Sequence, residues 1–373
     1  MKWKVLGALT LARTAMGLQF QSVAALGSGL QAQFELGDAA LGALIGLYLL
    51  PGVVLAIPGG ALARRFGDVR LVILGLAMMT AGAVLAFWGW HWSGRIIAGT
   101  GAVLVNVLGT KIVADWFDTR DLPVAMGIFI VSWPLGLALA LVTLPIIGAA
   151  FGVQAGLLAT GAAMAVALVI AAGGARSAAV ASGAVAARIE PAEVFRASLA
   201  GLVWTFYNTG FILLLAYGPG FLVERGLGDV AAAALASVVG WLILPSLAAG
   251  GWIVAMVRAP KALTAACLIA SSLLVVTLPA TAPAVLPFVL IGLLIGPPGP
   301  LIMTLPAAAV RAEVRALGFG IYFTWYYIGM ALAPALAGAL ISTTGSAVAP
   351  LHLAAGSFLA ATACLWGFTR TLR

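Results

Sequence analysis

The chain has 373 residues, 63% of them hydrophobic and 8% charged, with a mean hydropathy of +1.16 and a formal net charge of +8. A soluble domain is about half apolar and about a quarter charged, so this chain lacks the polar residues to clothe a water-facing surface, and its solvent is lipid. Its long unbroken apolar runs exclude a transmembrane β-barrel, which needs period-two alternation in segments of about ten residues, and leave spanning helices of about 20 residues.

Twelve apolar segments follow in order: 5–29, 39–63, 71–88, 93–115, 124–150, 155–173, 198–222, 231–257, 262–280, 284–309, 317–342 and 349–368. The first is too long for a signal-peptide core and has no convincing cleavage site, so it reads as a retained helix. It contains LTLARTAMGLQFQ, with Arg13 about 12 Å along the helix from Val5. No acidic residue lies within twenty positions on either side. A cation facing lipid costs about 2.5–3.5 kcal/mol even on the mild insertion scale. Arg13 therefore either snorkels to the cytoplasm or points into the bundle, where a guanidinium suits a carboxylate or small oxyanion. At 100° per residue, Gly17, Phe20, Gln21 and Ala24 share its face.

The loop after the second segment reads Gly60-Ala-Leu-Ala-Arg64-Arg65-Phe66-Gly67-Asp68-Val69-Arg70. The fourth segment opens with Arg95-Ile-Ile-Ala-Gly99-Thr-Gly101 and continues to Asn106, Thr110 and Lys111. Asn106 and Thr110, one turn apart, either contact substrate or tie this helix to a neighbour. Lys111, near the cytoplasmic end, either snorkels or holds an anion near an inner gate. The fifth segment carries Ser132-Trp133-Pro134.

Residues 174–197 are the longest polar, small-residue stretch and read as a cytoplasmic linker between halves 1–173 and 198–373. The seventh segment opens LVWTFYNTG, where Trp204 and Asn208 share one face and Tyr207 and Phe211 a second. The tenth contains Gly296-Pro297-Pro298-Gly299-Pro300, whose prolines break a helical ladder. This break either shapes the bundle or serves as a gate. The eleventh holds Tyr322, Trp325, Tyr326 and Tyr327. Trp133 and Trp325 lie deeper than headgroup aromatics. They either pack the core or wall a small pocket.

Fifteen of the 19 Lys and Arg residues fall in alternate loops assigned to the inside, against Arg95 and Arg225 outside. This positive-inside bias sets both termini in the cytoplasm. The halves also repeat. Leu36-Gly37-Asp38 and Gly59-Gly60 recur as Leu227-Gly228-Asp229 and Gly250-Gly251 at an offset of 191. Gly127 and Gly136 recur as Gly320 and Gly329 at 193. Two parallel six-helix repeats are a transporter arrangement, with the site near the midplane between them.

The 60–70 loop resembles the signature loop of the major facilitator superfamily in Gly60, Gly67, Arg65 and Arg70. It departs from it where Arg64 stands at the usual Asp position, and Asp68 is the available substitute. The Arg95-x-x-x-Gly99-x-Gly101 run matches a second family signature. Within the family, Ala8-Leu9-Thr10-Leu11-Ala12-Arg13-Thr14 is similar to the first-helix arginine setting of the cyanate and nitroimidazole branch, without its proline. The nitrate porters, with arginines in spans two and eight, fit less well.

The resemblance implies an all-α polytopic membrane protein of 12 spans in two pseudo-symmetric six-helix bundles. It also implies an alternating-access transporter, monomeric, in the inner membrane of a prokaryote. The expected substrate is a small anion contacted by Arg13, Gln21, Asn106, Trp133, Trp204, Asn208, Trp325 and Tyr326. The expected gating elements are Gly60, Arg65, Gly67, Asp68 and Arg70 together with Pro297, Pro298 and Pro300. Efflux of a drug-like hydrophobe is the alternative, and a non-transporting receptor or scaffold a remoter one. No catalytic spacing, P-loop, metal set or disulfide framework is present. No enzyme activity, cofactor or nucleic-acid partner is therefore expected. No carboxylate lies mid-span, which disfavours a carboxylate proton relay.

Overall fold

The structure is a computed structural model that describes residues 2–56, 58, 66–117, 122–174, 189–281, 284–311 and 314–372. The described residues form helices α1 (Lys2–Ala25), α2 (Gly27–Phe34), α3 (Asp38–Leu47), α4 (Pro51–Leu55), α5 (Asp68–Phe87), α6 (His91–Trp116), α7 (Leu122–Phe151) and α8 (Val153–Gly174). These are followed by α9 (Pro191–Glu224), α10 (Asp229–Met256), α11 (Pro260–Thr277), α12 (Val285–Ile295), α13 (Pro298–Ala309), α14 (Arg315–Thr344) and α15 (Ala349–Arg370). A short 3₁₀ turn, Leu278–Ala280, follows α11.

Among the described residues, 11 helical segments are long and apolar enough to cross a membrane. The 24-residue α1 is also long enough, about 36 Å at 1.5 Å per residue, but Arg13, Gln19 and Gln21 dilute its hydropathy. With it the fold has the twelve spans expected from the sequence.

Three spans are broken rather than continuous. The first bends at Leu26, between α1 and α2. The second breaks before Pro51, where Leu49 N–H turns back to the Gly46 carbonyl. The tenth breaks at Gly296-Pro297. The seventh span starts at Pro191, seven residues before the expected 198, because Glu190 and Glu193 form a capping box ahead of the apolar run.

The chain divides into two compact units, residues 1–183 and 184–373. In the first, α1 packs on α7 and α8, and α5 packs on α6 and α8. In the second, the corresponding helices pair the same way: α9 on α14 and α15, α11 on α12 and α15. Small residues allow the close approaches. Gly136 of α7 lies against the Thr14 carbonyl of α1, and Gly329 of α14 lies against the Thr205 side chain of α9. Thr205 follows Thr14 by 191 residues and Gly329 follows Gly136 by 193, so the sequence offsets are also contact offsets. Large apolar side chains such as Val54, Val169, Leu273 and Leu332 are exposed, as the composition of a chain built for lipid requires.

Candidate functional site

In the first unit, Arg13 is partly buried on α1 and points toward α6 and α7. Its Nε donates to Asn106 Oδ1 at 3.1 Å. Its Nη1 donates to the Phe129 carbonyl at 2.7 Å and the Ile130 carbonyl at 3.2 Å. The guanidinium carbon also lies 4.8 Å from the centre of the Phe129 ring. The sequence explains why a carbonyl is available in mid-helix. Pro134 has no N–H, so the carbonyl four residues earlier, Ile130, has no helical donor. These three hydrogen bonds and the ring contact fix the orientation of the guanidinium.

Asn106 thus ties α6 to α1, and Thr110 Oγ1 donates to the Asn106 carbonyl at 2.7 Å. Gln21 is buried at 1% exposure, two turns beyond Arg13. Trp133 packs at 5.3 Å on the Phe20 ring, and its carbonyl faces Gly17. Sequence reasoning missed Phe129 and Ile130. The signal was present as a proline four residues downstream of a carbonyl that faces a buried cation.

Arg95, counted with the outer-side charges although it opens the fourth segment, lies within α6 at 5% exposure. Its Nε donates to Leu44 O at 2.9 Å, its Nη1 to Gln19 O at 3.0 Å, and its Nη2 to Phe20 O at 3.1 Å and Ile45 O at 3.4 Å. The break before Pro51 frees the Ile45 carbonyl, since Leu49 N–H has turned to Gly46. Gly99, one turn on, lets α6 approach the Tyr48 carbonyl. The Arg-x-x-x-Gly spacing is therefore a device for docking a cation and a bare backbone on a broken second span.

On the loop side of the same unit, Gly67 takes φ +88° and caps α5. Asp68 accepts from Lys111 Nζ at 2.6 Å, with the lysine side chain 45% exposed. Lys111 is thus paired with Asp68. Arg70 lies on the first turn of α5. Gly60 and Arg65 lie outside the described residues.

In the second unit, Trp204 of α9 stacks on Tyr207 at 5.4 Å and on Tyr322 of α14 at 6.2 Å, and Tyr326 lies tilted at 6.2 Å. Trp204 follows Arg13 by 191 residues and Tyr322 follows Phe129 by 193. The repeat therefore places an indole over a phenol where the first half places a guanidinium over a phenyl ring. Asn208 Nδ2 donates to the Trp204 carbonyl at 2.8 Å. Trp325 lies outside this stack, with its Cβ over Gly201.

The break in the tenth span is held from two helices. Tyr207 Oη donates to the Ile295 carbonyl at 2.8 Å, and Ser246 Oγ of α10 donates to the Leu293 carbonyl. Pro297 strips the donor from Leu293, and Gly299 N–H turns to Gly296 instead of Ile295. Pro298 begins α13 and Pro300 sits in its first turn, where a missing N–H costs little. A further anchor was not foreseen. Glu193, 1% exposed on α9, accepts from Arg311 N at 2.8 Å and from its Nε and Nη2 at 3.0 Å each.

Comparison with known proteins follows the same lines. The family model described as Major Facilitator Superfamily matches residues 9–334. The inner membrane transport protein YajR of Escherichia coli K12 is 34% identical over 123 residues, covering 32% of this chain and 26% of that relative. A crystal structure of a D-xylose–proton symporter superposes with a TM-score of 0.79 at 13% identity, covering 98% of this chain and 97% of that one. A bacterial homolog of the human lysosomal transporter Spinster, inward-facing and occupied, superposes at 0.71 with 17% identity over 98% and 96% of the two chains. The cyanate and nitroimidazole branch finds no support in these matches; YajR is a different member. The family match over residues 9–334 shows that the chain is a transporter, not an enzyme, and that it belongs to the Major Facilitator Superfamily.

Proposed function

We propose that this transporter moves a small anion by alternating access, with Arg13 holding the negative charge. The observation that carries this reading is the Arg13 setting. A guanidinium lies inside a spanning bundle, oriented by Asn106 and the Phe129 and Ile130 carbonyls. A partly buried cation in a spanning segment is expensive in lipid and marks a substrate path. Its planar fork matches carboxylates and small oxyanions. Gln21, Trp133, Trp204, Asn208, Trp325 and Tyr326 are assigned as further substrate contacts. The 67–70 turn and the proline break are assigned to gating. The stretch between α8 and α9 is the linker, both termini face the cytoplasm, and the protein acts as a monomer in a bacterial inner membrane.

The Trp204 aromatic stack favours a second reading, efflux of a hydrophobic drug-like solute. Competition separates the two. Thermal stabilisation of the purified protein by small carboxylates or oxyanions, without effect from neutral amphiphiles, supports the anion reading. The reverse pattern supports efflux.

A further inference from the structure

The first unit holds a second polar cluster that the Arg13 reading does not use. Gln19, Ser22, His91, Arg95 and Thr160 line a small cavity together with apolar residues of α2, α3 and α5. All five are more than nine-tenths buried. The cavity leaves about 20 Å³ for the centre of a water-sized species. One such species needs roughly 10–15 Å³ on that measure, so a single small ligand fits.

Three side chains of this cluster have an N–H that no partner takes up. Arg95 directs four of its five N–H groups to backbone carbonyls, which leaves one on Nη1. Gln19 donates one amide hydrogen to the Met79 carbonyl and accepts from Tyr48 at Oε1, which leaves its second amide hydrogen. His91 Nε2 is buried without a hydrogen-bond partner, and its ring is fixed edge-on to Phe34 at 4.2 Å. The Ser22 and Thr160 hydroxyls already donate to the Gln19 and Leu157 carbonyls.

Among the described residues, no carboxylate pairs with Arg95. An uncompensated buried charge is costly, and carbonyl dipoles offset only part of that cost. A water in the cavity would complete hydrogen bonds but leave the charge. A small anion answers both.

We propose that this cavity binds one inorganic monoanion of halide size as the counter-ion of Arg95. His91 Nε2–H, in the tautomer protonated there, Gln19 Nε2–H and the remaining Arg95 N–H are its donors. The site is separate from Arg13 and does not depend on what Arg13 binds.

The test compares thermal unfolding of the full-length protein in nanodiscs in sodium chloride, sodium bromide and sodium gluconate at equal ionic strength. The halides raise the midpoint by about 2 °C and the rise saturates. Arg13→Gln keeps that rise and His91→Phe loses it. Equal midpoints in chloride and gluconate in Arg13→Gln, where a carboxylate has no Arg13 to bind, overturn the proposal, and so does an undiminished halide rise in His91→Phe. Should that variant not fold, bromide anomalous scattering from wild-type crystals decides. A peak between His91 Nε2 and Arg95 supports the site, and water density alone overturns it.

Discussion

Arg13 donates from Nη1 to the carbonyl of Ile130, the acceptor that Pro134 leaves without a helical donor. A cation on one helix is therefore oriented by a proline on another. Pro134→Ala restores an N–H that competes for the Ile130 carbonyl. Arg13 then loses part of its orientation, and the apparent KM rises about 5-fold, the equivalent of roughly one hydrogen bond at 1 kcal/mol. The maximal rate changes less than the KM, and concentration-dependent uptake into proteoliposomes measures the split.

The packing of first on fifth helix in each half gives a graded prediction. A Cβ at Gly136 meets the Thr14 backbone carbonyl, and a Cβ at Gly329 meets the Thr205 methyl. Backbone yields less readily than a side chain. Gly136→Ala therefore destabilises by about 1–3 kcal/mol, and Gly329→Ala by less. Thermal unfolding in matched detergent gives the order, and a larger loss at Gly329 contradicts it.

Tyr207 and Ser246 hold the carbonyls that the tenth-span break exposes. Tyr207→Phe leaves the Ile295 carbonyl buried and unsatisfied, at a cost of about 1–3 kcal/mol. Lower thermal stability with the helix content unchanged is the expected result, read by circular dichroism.

The paired Lys111 and Asp68 side chains carry a different expectation. The lysine is 45% exposed, and exposed ion pairs contribute about 0–1 kcal/mol. Asp68→Asn therefore leaves the unfolding midpoint nearly unchanged, even if the transport rate moves. A large stability loss in this variant shows that Asp68 supports the fold in some other way.

How much of this was legible beforehand depends on the kind of interaction. The spans were legible because lipid demands long apolar helices, and Pro191–Glu224 escaped in part because its first turns are a polar cap. The repeat was legible in glycine spacing, since only glycine tolerates the contact at Gly136. Arg13 was flagged by the cost of its burial. Its partners Phe129 and Ile130 were not, because backbone carbonyls have no residue signature of their own. Arg95 was legible as the opening of the fourth segment, but its partners, the carbonyls of Leu44, Gln19, Phe20 and Ile45, were not. The helices are apolar on nearly every face, so amphipathic periodicity could not say which faces meet. Trp133 illustrates this, packing on Phe20 from a position that suited a pocket wall equally well.

The most direct measurement is counterflow of small radiolabelled monoanions, carboxylates and oxyanions, in proteoliposomes holding wild-type protein or Arg13→Gln at equal folded amounts. The account predicts saturable exchange of at least one such anion by the wild type and a loss of about 10-fold or more in the variant, which removes a charge-assisted bond of roughly 1.5–3 kcal/mol. Exchange by a folded Arg13→Gln at the wild-type rate would contradict it.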